Sequence, residues 1–390
     1  MKFEINRKTM LEAAKNVAKI APSSSPVDVL NGILIESNEE TGEVYLTATN
    51  YEISIQQKVM ASVKEGGAML INARLLVGMM SMLEGEIVIL SADRPELLKV
   101  IGDKCTYKIN CLPSKSYPKP IMPFPEESAL MTGICSLAKR TTFAVSKDES
   151  KPSLQCVQVK LKNNAVYATA CDGIRMMLVK DSAEQTDERE FLLPGRALQT
   201  LAAASKDDDV FEVGDIGNEV VFVRGDMIFT IRKLDTGSYI DATAMVKKFE
   251  PIYAAVTDAN KIKDALSLTE IGALSGKTKA PVNLILSDGE IILKCANDFN
   301  EISSTVAASI SKDTPNTGFF YDVSALIKLF QVISGKVKLE MDAKGFMFVK
   351  TRSEVYLQAP MSAPAKVARS KDQDKQSNRA KGAEDVKDIA

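Results

Sequence analysis

A strand running into a small polar turn occurs three times in this chain: Leu46-Thr47-Ala48-Thr49-Asn50, Ala168-Thr169-Ala170-Cys171-Asp172 and Lys294-Cys295-Ala296-Asn297-Asp298. The closing residues Asn50, Asp172 and Asp298 lie 122 and 126 residues apart. A second, unrelated feature keeps the same period. A cap-like residue opens an apolar helix at Asn72 before Arg74-Leu75-Leu76, at Pro194 before Arg196-Ala197-Leu198 and at Asp322 before Ser324-Ala325-Leu326, with offsets of 122 and 128. Two features on one period mean that each period is one structural unit, so the chain is read as three homologous domains ending near residue 363.

Each period reads as helix, strands, helix, strands, which places the chain in the α+β class. In the first, Leu11, Ala14, Val17, Ala18 and Ala21 fall at helical spacing and Pro22 stops the helix. Strand text follows at 32–36, 44–49 and 52–59. The second half carries Leu75, Leu76, Met79, Met80 and Leu83 on one helix, then strand text at 86–91, 97–101 and 107–111. Proline clusters at 113–125 and near 247–251 mark the linkers, giving domains 1–124, 125–250 and 251–363. The remaining segment, 364–390, has almost no apolar residues and is expected to be a disordered charged tail.

The chain has no histidine and no tryptophan. Histidine-based nucleophilic catalysis and histidine-ligated metals are thereby excluded. Six cysteines (Cys105, Cys111, Cys135, Cys156, Cys171, Cys295) form no C-x-x-C pair and read as reduced core residues. The start, Met1–Asn6, has no apolar h-region, and no run reaches the ~18 apolar residues of a membrane span, so a cytoplasmic location and no membrane partner are expected. Asp207-Asp208-Asp209 follows a helix and reads as a solvated turn rather than a metal site. Ser275-Gly276-Lys277-Thr278 lacks the earlier glycine of a phosphate loop, Ile271 standing in its place. No cofactor and no metal are expected.

Charge is distributed unevenly. The helical segments carry +3 (7–20), +1 (72–83), +3 (128–147), +2 (195–206), −1 (258–271) and +1 (322–336), whereas the whole chain is −2. Helices that share one side would present a positive surface backed by negative sheets, which suits a phosphate backbone. Lysines on solvated helix faces are the ordinary alternative.

With these features the chain resembles the bacterial DNA polymerase III beta subunit, the DNA sliding clamp family. The marks are Met1-Lys2-Phe3 with Asn6-Arg7, Ala48-Thr49-Asn50-Tyr51-Glu52-Ile53, Phe143-Ala144-Val145-Ser146, Asp148-Glu149-Ser150, Ala170-Cys171-Asp172-Gly173-Ile174-Arg175, Phe229-Thr230 with Leu234 and Gly237, and Pro360-Met361. The resemblance spans 1–363. It implies three clamp-type domains with helices on one face of curved antiparallel sheets, closed head to tail as a homodimer ring around duplex DNA. Such a ring is a non-catalytic processivity factor for DNA replication, tethering the replicative polymerase, the clamp loader and other clamp-binding peptides without reading sequence.

The implied DNA-facing residues are Arg7, Lys8, Lys15, Lys19, Arg74, Lys139, Arg140, Lys147, Lys151, Arg196 and Lys206. The implied dimer interface joins Tyr107 and Ile109 on a domain-one edge strand to Leu274 in domain three. A partner-peptide pocket is implied at Leu154, Cys171, Gly173, Ile174, Arg175, Met176, Ile240, Met245, Leu357, Pro360 and Met361, with Arg175 orienting the peptide and Met176 and Met361 anchoring it. Ile240 stands where the family usually has proline, Ala244 where it has arginine, and the closing run reads Ala359-Pro360-Met361-Ser362-Ala363. Two other readings stay open: a clamp-like paralogue that has lost ring closure or polymerase binding, and an enzyme using Cys171 beside Asp172, with only Arg175 or a helix end to lower the thiol pKa.

Overall fold

The computed structural model describes residues 1–22, 25–94, 96–183, 188–234, 239–273, 281–296, 301–311 and 317–363. The charged tail, Leu274 and the third repeat's Asn297-Asp298 turn lie outside the described residues. Two compact units are present, one of Met1–Ala170 with Lys180–Tyr239, the other of Cys171–Val179 with the chain from Ile240 onward.

In the first unit, helix α1 (Arg7–Val17) packs against α2 (Ala73–Met82), and α3 (Ile134–Thr141) against α4 (Gly195–Ala203). Side-chain caps set the starts of the first pair. Asn6 Oδ1 accepts from the amides of Lys8 (2.9 Å) and Thr9 (3.2 Å), and Asn72 Oδ1 from Leu75 (3.2 Å). Helix α4 begins after Pro194, which makes no side-chain cap. Its Gly195 lies so close to Val145 and the Gln155 carbonyl that a Cβ would sit 3.1–3.2 Å from them. The stretch 128–147, read as one helix, is broken by Gly133 at φ +70° into a short strand (Ala129–Met131) and α3, so the helix is shorter than expected.

An eight-stranded antiparallel sheet unites both halves of this unit. Its order is Ala129–Met131, Phe211–Ile216, Glu219–Arg224, Met227–Arg232, Ile53–Met60, Glu43–Thr49, Gly32–Ser37 and Gly67–Asn72. The strands of the first and second repeats meet in register from Met227↔Gln57 to Ile231↔Ile53. Helix α1 packs on Glu43–Thr49 and Ile53–Met60, burying Met10, Ala13, Ala14 and Val17. A five-stranded sheet runs Ser62–Glu65, Lys2–Asn6, Ile87–Arg94, Leu97–Ile101, Thr106–Asn110, and the last is its edge.

The second unit contains α5 (Ala242–Lys248), α6 (Ala259–Ala273) and α7 (Val323–Val332), with α6 against α7. Asp322 Oδ1 caps α7 by accepting from Ser324 (2.8 Å) and Ala325 (3.1 Å). Arg175–Val179 pairs with Glu354–Gln358, which continues through Met347–Lys350, Lys336–Met341 and Tyr253–Asp258 to Ser309–Ile310. A four-stranded sheet runs Glu301–Ala307, Glu290–Ala296, Val282–Ser287, Thr317–Tyr321, and α6 covers its first two strands. Helix α5 ends on Lys247 and Lys248, inside text read as linker, and starts before it, where Asp241 Oδ1 accepts from Ala244 N (2.9 Å) and supplies a start signal. Among the described residues no helix is long and apolar enough to cross a membrane.

Candidate functional site

Nine of the eleven cations expected to face DNA are exposed: Lys8 and Lys15 on α1, Arg74 on α2, Lys139 on α3, Arg196 on α4, and Lys19, Lys147, Lys151 and Lys206 in adjoining turns. All lie in the first unit. Among the described residues no ion pair holds Lys8, Lys15, Arg74, Lys147, Arg196 or Lys206, while Lys139 and Lys151 make long, exposed contacts to Asp207 (3.9 Å) and Asp148 (3.8 Å). Exposed pairs of that kind contribute little and exchange readily. Lys19 reaches from the end of α1 to the Ala203 carbonyl at the end of α4. Burial there, with the nearby Arg224 guanidinium, holds its pKa below the usual lysine value.

Two of the expected DNA contacts are used by the fold instead. Arg7 donates through Nε to the Gly85 carbonyl (3.1 Å) and through Nη1 to that of Met80 (3.0 Å), closing the end of α2. Arg140 grips Asp181 with both terminal nitrogens, Nη1 to Oδ1 at 3.1 Å, and donates from Nε to Ser136 (3.4 Å). Charge count alone identifies neither partner, Asp181 being 41 residues away.

The residues expected to capture a peptide divide by exposure. Asp172 Oδ1 accepts from the amides of Ile174 (3.0 Å) and Arg175 (2.9 Å), and Gly173 turns at φ +94° with its amide on Cys171 Sγ (3.3 Å). This presents Ile174, 60% exposed. The amide of Ala359 donates to the Ile174 carbonyl (2.9 Å) and that of Met361 to Phe320 (2.7 Å), which fixes Met361 close by with 43% exposure. Met245 on α5 is 42% exposed, and Ile240 and Pro360 are half-buried.

Met176, expected to be an anchor surface, is 1% exposed; it and Leu357 pair across the sheet as core. Cys171 is buried as well. Arg175, expected to orient a peptide, is bound through Nε to Asp172 Oδ2 at 2.7 Å. Leu154 belongs to the first unit, half-buried in the turn Pro152–Gln155. Met176 was placed on the surface by matching position in the family, and a matched position does not say which face of its strand is covered.

At the edge strand Thr106–Asn110, Ile109 is 6% exposed and faces the core, and Tyr107 on the same face is half-buried; Thr106, Lys108 and Asn110 point outward. The sequence reading missed two apolar faces beside free strand edges. Leu75 and Met82 are exposed on α2, whose end meets the turn preceding this strand through Lys104–Glu84 (2.6 Å). Leu268 and Ile271 are exposed at i, i+3 on α6, which packs on the edge strand Glu301–Ala307. The available signal was an apolar stripe wider than one packing face can cover, with Leu75 and Met82 extending the stripe of Leu76, Met79 and Met80 to one side. Cys105, read as core, is exposed in the turn before Thr106.

Residues 1–122 match the DNA polymerase III beta subunit N-terminal domain, and residues 132–241 the central domain of the same subunit. The chain is 23% identical over 325 residues to the beta sliding clamp of Bacillus subtilis, covering 80% of this chain and 84% of that protein. It is 24% identical over 361 residues to that of Staphylococcus epidermidis, covering 89% of each. Solved structures with the same fold include a DNA polymerase III beta subunit described as putative from Eubacterium rectale (TM-score 0.86, 17% identity) and the sliding clamp of Bacillus subtilis (TM-score 0.85, 20% identity), each covering 93% of this chain and all of the other. The α+β architecture agrees with that fold, and the chain belongs to the DNA polymerase III beta subunit family.

Proposed function

We propose that the chain is a processivity factor: a ring-shaped homodimer that encircles duplex DNA without reading sequence and tethers the replicative polymerase, the clamp loader and other proteins bearing clamp-binding peptides in the bacterial cytoplasm. The domains in this reading are 1–124, 125–250 and 251–363. The observation that carries it is the set of exposed helix cations without fixed partners in a member of this family. Mobile cations of this kind neutralise phosphate without fixing a register, which permits sliding.

Ring closure has support on both sides of a head-to-tail seam. The edge strand Thr106–Asn110 beside Leu75 and Met82 would meet, in a second copy, the edge strand Glu301–Ala307 beside Leu268 and Ile271. Lys108 and Glu301 give the two edges opposite charge. Such a closed heterologous contact covers both strand edges. Partner peptides would bind over Ile174, Met245 and Met361. An enzymatic role for Cys171 is disfavoured, since burial pushes its thiol pKa up and Arg175 is bound to Asp172 instead.

Retention on DNA tests this reading. After loading, the protein should remain on a nicked circle through moderate salt and leave quickly once the circle is linearised. Equal, steeply salt-dependent loss from both would point to ordinary electrostatic binding and sink the ring.

A further inference from the structure

The turn at the proposed peptide site has a counterpart 122 residues earlier, reproduced bond by bond. Asn50 Oδ1 accepts from the amides of Glu52 (3.1 Å) and Ile53 (2.8 Å), as Asp172 does from Ile174 and Arg175. Thr49 Oγ1 accepts from Tyr51 N (3.1 Å), the role Cys171 Sγ has toward Gly173. Ile53 registers against Ile231 as Arg175 does against Gln358. The segment after each repeat carries a tyrosine whose hydroxyl donates to a strand carbonyl, Tyr117 to Thr47 (3.5 Å) and Tyr239 to Cys156 (3.1 Å). The meeting of the first two repeats therefore carries the same turn as the one proposed to display Ile174, with different side chains.

That junction also has a cavity of about 430 Å³, where the segment after Tyr117 crosses the strands joining the two repeats. Its size is that of a site for one large side chain and its flanking backbone. Met122 packs on Ile228 as part of its lining, and Phe124 stands at the rim, 66% exposed. The polar wall includes Glu36, Tyr45, Lys58, Lys119 and Asp226, with Glu43 behind it as a partner of Lys58 and Tyr45. Lys119 is held by Glu36 at 2.7 Å. Lys58 lies between Glu43 (3.3 Å) and Asp226 (3.2 Å), and Tyr45 also donates to Glu43 (2.7 Å). The wall itself holds two carboxylates and two ammoniums, but Lys58 is shared with the third carboxylate, Glu43, behind it. The surplus acceptor is Asp226, whose side chain is 61% exposed and which shares its lysine. An anionic ligand would have to break one of these pairs, whereas a cation beside Asp226 completes the set.

We infer that this cavity is a second peptide-binding site, taking a partner segment with an aromatic or long aliphatic side chain next to a lysine or arginine. The inference rests on the cavity, its apolar lining and the shared lysine beside Asp226, and these stand whether or not the site around Met361 binds peptides; the repeated turn adds support only through that proposed site.

Because the chain contains no tryptophan, a tryptophan probe reports binding without an indole background. Titrating the full chain with acetyl-Gly-Trp-Lys-Gly-amide should give a saturable blue shift of emission and move the methyl resonance of Met122. Phe124→Ala should weaken binding about tenfold, and Asp226→Asn about threefold. Both positions are exposed, and unchanged melting temperatures would establish that the variants fold. The same peptide with glutamate in place of lysine should bind more weakly, and Met361→Ala should change nothing. The inference is overturned if no saturable shift occurs, if the lysine and glutamate peptides bind equally, or if Met361→Ala abolishes a signal that Phe124→Ala leaves intact.

Discussion

Arg175 and Asp172 are closed on each other, Nε to Oδ2 at 2.7 Å, with both side chains largely buried. The same carboxylate holds the turn through two backbone amides, so the pair braces the loop that displays Ile174. Removing the guanidinium strands a buried carboxylate, which costs about 1–3 kcal/mol. Arg175→Ala is therefore expected to lower the melting temperature and to disturb peptide binding only indirectly. Met361→Ala should leave melting unchanged and weaken a clamp-binding peptide by about 1 kcal/mol or more, measured by calorimetric titration.

The proposed seam makes a separate prediction. Met82 is the most exposed apolar side chain on α2, and a carboxylate there would be buried without a partner on closure. Met82→Glu should reduce the solution mass from near twice 42.4 kDa to 42.4 kDa without altering the fold. By contrast, Ile109→Ala removes a core side chain and should destabilise the protomer by about 2–5 kcal/mol in chemical denaturation. A wild-type protein that sediments as a monomer would remove the seam.

Alkaline pH should unfold the chain through particular tyrosines. Burial raises the pKa of Tyr117, Tyr321 and Tyr356 above the usual phenol value, and Tyr321 donates to the Gly345 carbonyl at 2.8 Å. The folded state thus holds these protons more tightly than the unfolded state. Their stabilisation is complete below pH ~10 and is lost as pH rises beyond it toward the folded-state pKa. Absorbance of tyrosinate should show these three ionising only with the loss of tertiary structure; free titration in the folded protein would contradict the packing.

Thiol reactivity should be concentrated at one position. Burial raises the pKa of Cys135, Cys171 and Cys295, pushes that of Cys156 up to about 12, and raises that of half-buried Cys111. Cys105 is exposed. At pH 8 a thiol reagent should titrate about one thiol per native chain, because the thiolate is the reacting form. Cys105→Ser should abolish that fast reaction.

What could be read in the sequence follows from the range of each interaction. The caps Asn72 and Asp322 act on amides two or three residues away, so their spacing announces them. The turn at Asp172 is equally local, and its repetition at Asn50 located the period. Arg140 and Arg7 looked like free cations because their partners lie 41 and more than 70 residues distant. Tyr107 and Ile109 showed alternation, yet alternation is symmetric between a covered and an open face until the sheet is built. Helix α5 was missed for another reason: it is only seven residues long and ends inside the stretch read as a linker before Pro251, so its cap at Asp241 opens no long periodic run.

The strand pair Ile53–Met60 and Met227–Arg232 bears on how the first unit resists force. Hydrogen bonds in an antiparallel pair lie across the strands, so a pull that draws the two repeats apart sideways loads the rungs from Ile53↔Ile231 to Gln57↔Met227 together, whereas an unzipping pull would load them one after another. Rupture of this junction should be a single all-or-none event, and the first two repeats should transmit tension as one mechanical element.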